Sequence, residues 1–193
     1  MHRFDERSLA NLLSRGKLLA RQVKLHDTQA GINGDRMRIY LVVMDETAES
    51  KKALRFASAR AMLTGGHVHI LALVPRQNFN AFGGVQATIE QEARERAEVL
   101  ANSEAGNILA KSGKMPVITV RSGKAQEIIA EYLSEHENVA ALVLGASEEA
   151  GPGPLVSHFA ANSADLSCPL CIIPGALGAK EIDALAGEKT EEE

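Results

Sequence analysis

Cysteine is scarce in this chain, long apolar runs are missing, and the common catalytic signatures are absent. Cys168 and Cys171 are the only two cysteines. They cannot be read as a disulfide framework, and the lack of a secretory signal leads us to expect a reducing, cytoplasmic setting. No apolar stretch approaches the roughly 20 residues of a membrane-spanning helix. There is no Gly-x-Ser-x-Gly elbow, His-Glu-x-x-His helix or Walker Gly-Lys-Ser/Thr, and no internal repeat. Ser157 and His158 are adjacent at a predicted helix start and would point apart, which argues against a catalytic serine. His67 and His69 share one face of a predicted strand. Without a third ligand they read as partly exposed strand histidines, not as a zinc site.

What is present is a globular composition. The 193 residues are 45% hydrophobic and 24% charged, with a net charge of −4. That length suits one domain with extensions, and that charge gives no general attraction to nucleic acid. The average conceals a gradient. Residues 1–24 carry six basic against two acidic side chains, whereas residues 178–193 carry six acidic against two basic.

Cys168-Pro-Leu-Cys171 has the spacing of a redox pair, but it leads into Ile172-Ile173, a strand pattern. Residues three apart in a strand face opposite sides and lie about 10 Å apart at roughly 3.3 Å per residue. A disulfide requires Cα atoms within about 7 Å. The pair is expected to pack rather than react.

Between residues 36 and 176 the pattern alternates strand and helix. Residues 39–44, 68–74, 117–120, 139–145 and 169–173 are apolar runs of strand length. Helical spacing runs from Thr47, a candidate N-cap, up to the stop at Gly65-Gly66, and recurs over 87–112, 125–134 and after Pro154. The expectation is an α/β domain with an open five-stranded parallel sheet, Rossmann-like, helices on both faces and strand order 3-2-1-4-5. A ligand crevice should then open between strands 1 and 4, with Asp45 opposite Gly145. Asp45 either accepts a ribose hydroxyl or a metal there, or complements the positive end of the next helix. The Gly151-Pro152-Gly153-Pro154 loop could present amides to an anion. Its prolines remove donors, however, and Glu148 and Glu149 add negative charge beside it.

Outside this body, residues 1–35 are read as an amphipathic helix and linker. Leu9, Leu12, Leu13, Leu19, Ala20 and Val23 form one stripe, with Arg7, Lys17, Arg21 and Lys24 opposite. Such a helix docks on the body or on a protein partner, lies on an anionic membrane surface, or is a removable targeting segment. Residues 177–193 are read as a solvated, partly disordered acidic tail.

The order of these elements resembles the universal stress protein family over residues 36–174. The carrying residues are Val43-Met44-Asp45 after strand 1, Leu144-Gly145-Ala146-Ser147 after strand 4, and the ending Ser167-Cys168-Pro169-Leu170-Cys171-Ile172-Ile173. ATP-binding members of that family carry Gly, two residues, Gly, about nine residues, then Gly with Ser or Thr. Gly145 and Ser157 match the first and last positions. Glu148 and Val156 stand where the other glycines would be, and the loop is about two residues short. The resemblance therefore implies the branch without the ATP motif: a regulatory or protective module of the stress response, not an enzyme. Its alternative is an adenine-nucleotide switch holding ATP, ADP or AMP, with Mg²⁺, and hydrolysing slowly if at all. In that alternative Asp45 would face the adenosine, Val74 and Leu144 would flank the base, Gly151 and Gly153 would line the phosphate loop, and Ser157 would reach a phosphate. The resemblance also implies a homodimer pairing through the last strand.

Overall fold

Six consecutive residues, Ile39–Met44, form strand β1, and all six are buried. Burial on both faces is what a central parallel strand requires. Tyr40, Val42 and Met44 join one apolar cluster, whereas Ile39, Leu41 and Val43 join another, so alternation along β1 divides the core into two layers. The computed structural model describes residues 37–74, 83–149 and 151–187. The predicted N-terminal amphipathic helix lies outside them.

After β1 the elements are helix α1 (Ala48–Thr64), β2 (His67–Val74), α2 (Gly83–Ser112), β3 (Val117–Ser122), α3 (Ala125–Glu135), β4 (Val139–Ala146), α4 (Pro154–Ala161), β5 (Leu170–Pro174) and α5 (Ala179–Ala186). The strands form one sheet in the order β3-β2-β1-β4-β5. All four neighbouring pairs are parallel, with Val42 opposite both Ile70 and Val143. This is the expected α/β fold and strand order. The switch point falls between β1 and β4 because the chain crosses from β3, at one edge, back to β4 at the other side of β1.

Helix α1 begins at the predicted cap: the Thr47 hydroxyl accepts from the Ser50 amide at 3.3 Å. It ends where Gly65 turns left-handed at φ 71°. Ala53, Ala57 and Ala61 face the sheet, and their small side chains let the helix lie close. Helix α2 adds Ala101, Ala105 and Ile108 to the same layer. On the other face, α3 contributes Ile128, Ile129 and Tyr132, and α4 contributes Val156 and Phe159.

Two expectations need correction. Part of the acidic tail is a packed helix, since Ile182 and Ala186 of α5, four residues apart, are buried at 1% and 0% exposure, Ile182 in the α1 layer. The helix is held at its start by the Gly178 amide donating to Glu181 Oε2 at 2.7 Å, and at its middle by Arg55 Nε donating to Asp183 Oδ1 at 2.6 Å. Burying an Ile side chain is worth about 1.5–3 kcal/mol, which stabilises this short helix against the charge around it. His69 is also not a partly exposed strand histidine. Helix α3 covers it, and its Nδ1 lies 2.7 Å from the Tyr132 hydroxyl.

Candidate functional site

Leaving β1, the chain reaches Asp45 at the predicted crevice. Its Oδ1 accepts from the Thr47 amide at 3.0 Å and from the Thr47 hydroxyl at 2.5 Å. The Ser50 hydroxyl donates to the Asp45 and Thr47 carbonyls, both at 2.9 Å. The acidic side chain thus tightens the turn that starts α1. That is the helix-complementing role, and it engages only one oxygen of an exposed side chain.

Leaving β4, Gly145 meets the first turn of α1. A Cβ at this position would lie 2.2 Å from the Glu49 carbonyl oxygen, a contact no side chain tolerates. Glycine is therefore required for α1 to pack on β4. The Glu49 carboxyl is held below the usual carboxylate range, chiefly by a hydrogen bond from its own backbone amide, with the Ser147 and Thr47 hydroxyls assisting. It stays charged at the mouth.

The β4–α4 loop engages three of its own amides. Ser147 N donates to the Pro152 carbonyl at 3.5 Å, Glu149 N to the Ser147 hydroxyl at 3.2 Å, and Gly151 N to the Glu149 carbonyl at 3.0 Å. Gly151 and Gly153 adopt φ of 89° and 88°, values that L side chains rarely reach. Pro154 opens α4, whose N-terminus has no side-chain cap. Ser157 is exposed, and its amide closes the first turn onto the Gly153 carbonyl at 3.0 Å. Val156 is buried at 4% exposure in the layer beneath α4.

Sequence reasoning placed Glu148 in this loop but missed its partner. Lys52 Nζ reaches Glu148 Oε1 at 2.6 Å and also donates to the Gly175 carbonyl. The pair is 96 residues apart in the chain, and Lys52 carries no local signal beyond being a helical lysine. Lys52 offsets one of five carboxylates at this end of the sheet. The others are Asp45, Glu46, Glu49 and Glu149, and Arg96 stands 3.7 Å from Glu46.

Two of the remaining predicted residues belong to the core. Val74 and Leu144 are each 2% exposed. Leu144 packs in the α3–α4 layer with Val156 and Phe159. No group of three or more His, Cys, Asp or Glu side chains among the described residues could hold a metal ion.

The cysteines pack into opposite layers, although Cys168 lies in the bend before β5 and only Cys171 is on the strand. Cys168 is buried in the α3–α4 layer and Cys171 packs against the α1 layer; both are free. Burial pushes both thiols up, with the neighbouring Cys171 adding to the effect at Cys168 and Arg60 opposing it at Cys171. Neither is poised as a thiolate nucleophile.

Solved structures share this architecture. UspA from Lactobacillus plantarum, a universal stress protein, superposes with a TM-score of 0.62 at 17% identity, covering 72% of this chain and 99% of that one. A universal stress protein family member from Burkholderia pseudomallei gives a TM-score of 0.58 at 17% identity, covering 73% and 98%. At such identities the likeness is one of fold. No curated protein matches the chain. The model of the universal stress protein family matches residues 37–174, from two residues before β1 to the end of β5. The chain belongs to the universal stress protein family.

Proposed function

We propose that this domain acts in the stress response as a non-catalytic regulatory or protective module, and that it does not depend on bound ATP. The observation that carries the reading is the state of the β4–α4 loop. Its amides at 147, 149 and 151 are engaged within the loop, and Glu148 stands in it, tied to Lys52. A phosphate there would have to break those bonds and face uncompensated carboxylates. At about 4 Å and an effective dielectric near 20, each such carboxylate opposes one phosphate charge by roughly 4 kcal/mol, and by about 1 kcal/mol in water. The test is to heat the purified protein after gel filtration and analyse the released small molecules. No adenine nucleotide is expected; one mole per mole of protein would overturn the reading.

A second reading is an adenine-nucleotide switch with a modified loop, taking AMP or adenosine more readily than ATP–Mg²⁺. What favours it is the uncapped start of α4, where the left-handed Gly153 leaves helix amides without a side-chain partner. Adenosine carries no phosphate charge, so it would meet little of the repulsion.

We further propose a homodimer through β5, in a reducing cytoplasm. β5 is an edge strand, and Ile172 on it is 39% exposed; an apolar edge left open invites pairing. Ile172→Lys should lower the sedimentation coefficient toward that of a monomer. An unchanged value would count against this edge. Among the described residues no helix is long and apolar enough to cross a membrane.

A further inference from the structure

Gly175 and helix α5 lie beyond the segment that matches the family, which ends at residue 174. Gly175 is nevertheless pressed against the β4–α4 loop. A Cβ there would stand 2.5 Å from the Ala146 carbonyl oxygen, 2.7 Å from Glu148 Cγ and 3.1 Å from the Glu148 amide nitrogen. Only a glycine lets the chain leaving β5 pass this close. Its carbonyl accepts from Lys52 Nζ, and the same ammonium pairs with Glu148 Oε1 at 2.6 Å. Lys52 thereby joins the loop to the connection between β5 and α5.

Helix α1 holds α5 with residues that follow Lys52. Arg55 donates through Nε and Nη2 to the two oxygens of Asp183, a forked pair that fixes direction as well as distance. Arg60 Nη1 donates to the Ala186 carbonyl at 3.1 Å. Ile182 is buried beneath these contacts, and Leu177 packs against the same layer. The Leu177 amide closes onto the Pro174 carbonyl at 3.2 Å, so a short hydrogen-bonded turn links the Gly175 seat to α5. Lys52 and Arg55 are neighbours on the surface of α1, at i and i+3. One stripe of one helix thus carries both the acid of the loop and the acid of α5.

We propose that α5 is an intramolecular lock on the β4–α4 loop. Docked, it fixes the turn after β5, so that the Gly175 carbonyl and the Lys52 ammonium keep Glu148 seated. Undocked, it withdraws that seat. Glu148 lies between the engaged amides of Ser147 and Glu149, so its release loosens the bonds on either side. The lock rests on the reading above that the loop is held closed by its own contacts, and it adds what controls that state. Access to the loop would then be set at the C-terminal helix as well as by the concentration of a ligand.

Solvent exchange of single amides, followed by NMR in the full-length protein, reads the lock directly. Ile182→Asp places a carboxylate under α5 and should release the helix, so that its own amides exchange freely. The amides of Ser147 and Glu149 should then exchange about threefold faster, the scale of losing one partly exposed ion pair. Those of α3, on the opposite face of the sheet, should keep their rates. Lys52→Met should give the same acceleration, and the two changes together no more than either alone, because they act through one contact. Asp183→Lys replaces Ile182→Asp if that chain fails to fold. Loop amides that keep the parent rate while α5 exchanges freely would overturn the lock, as would a speed-up shared equally by α3. Loop amides that already exchange like an unstructured peptide in the unaltered protein would instead sink the closed-loop reading beneath it.

Discussion

Two junctions lie side by side at the switch point, and they solve the start of a helix differently. The β1–α1 junction is short and side-chain built: Asp45, Thr47 and Ser50 form a closed set of hydrogen bonds around the first turn of α1. The β4–α4 junction is longer and backbone built, with two left-handed glycines, two prolines and no side-chain cap. The first commits its polar groups to its helix. The second commits its amides to the loop and its acid to Lys52. Both junctions thus tie most of their polar groups from within, and the donors left at the second are the uncapped first amides of α4.

The contrast is most exposed to failure at Gly145, where the two junctions touch. Gly145→Ala would drive its methyl into the Glu49 backbone, and overpacking of this kind costs about 1–3 kcal/mol or more. The urea midpoint should fall accordingly, and an unchanged midpoint would show that α1 is not seated directly on β4.

A control away from both junctions comes next. Burial, with smaller contributions from His136 and His67, lowers the His69 pKa to about 4 against an ordinary 6.5. The neutral ring is the form the fold accepts, so stability is fully present above about pH 6.5 and declines as pH falls toward 4. The loss should be at most about 3 kcal/mol. His69→Phe should flatten that part of the stability–pH curve, whereas substitutions at either junction should leave its shape intact.

Thr47→Ala removes the side-chain cap of α1 and should cost about 1 kcal/mol in chemical unfolding. No equivalent side chain exists at α4, so an alanine at Ser157 should cost less than half as much. Similar costs would erase the distinction between the junctions. The smallest effect belongs to Lys52→Met: the pair with Glu148 is partly exposed, and such pairs contribute about 0–1 kcal/mol.

Much of the fold was legible because it depends on short-range patterns. The apolar run at 39–44, the Thr47 cap and the Gly65 stop all appear where the pattern put them, and right-handed crossovers leave few ways to order the strands. The helix at 179–186 was legible too, in Ile182 and Ala186 between Gly178 and Gly187, but the surrounding acids outweighed so short a pattern. His69 could be assigned to a face of β2, though not to a covered one, since burial there depends on Tyr132 of α3. At the crevice, the glycines and Glu148 could be read in place. The Lys52 contact and the Glu49–Gly145 approach could not, because both are made across elements far apart in the chain.

Whether the β4–α4 junction holds a triphosphate is decided by titration calorimetry of the full-length protein with ATP and Mg²⁺. Binding should be too weak to resolve below about the millimolar range, where the free energy is roughly −4 kcal/mol, with partial recovery when Glu148→Gly and Val156→Gly are combined. Sub-micromolar binding by the unaltered protein would contradict a junction whose amides at 147, 149 and 151 and whose Glu148 are already engaged.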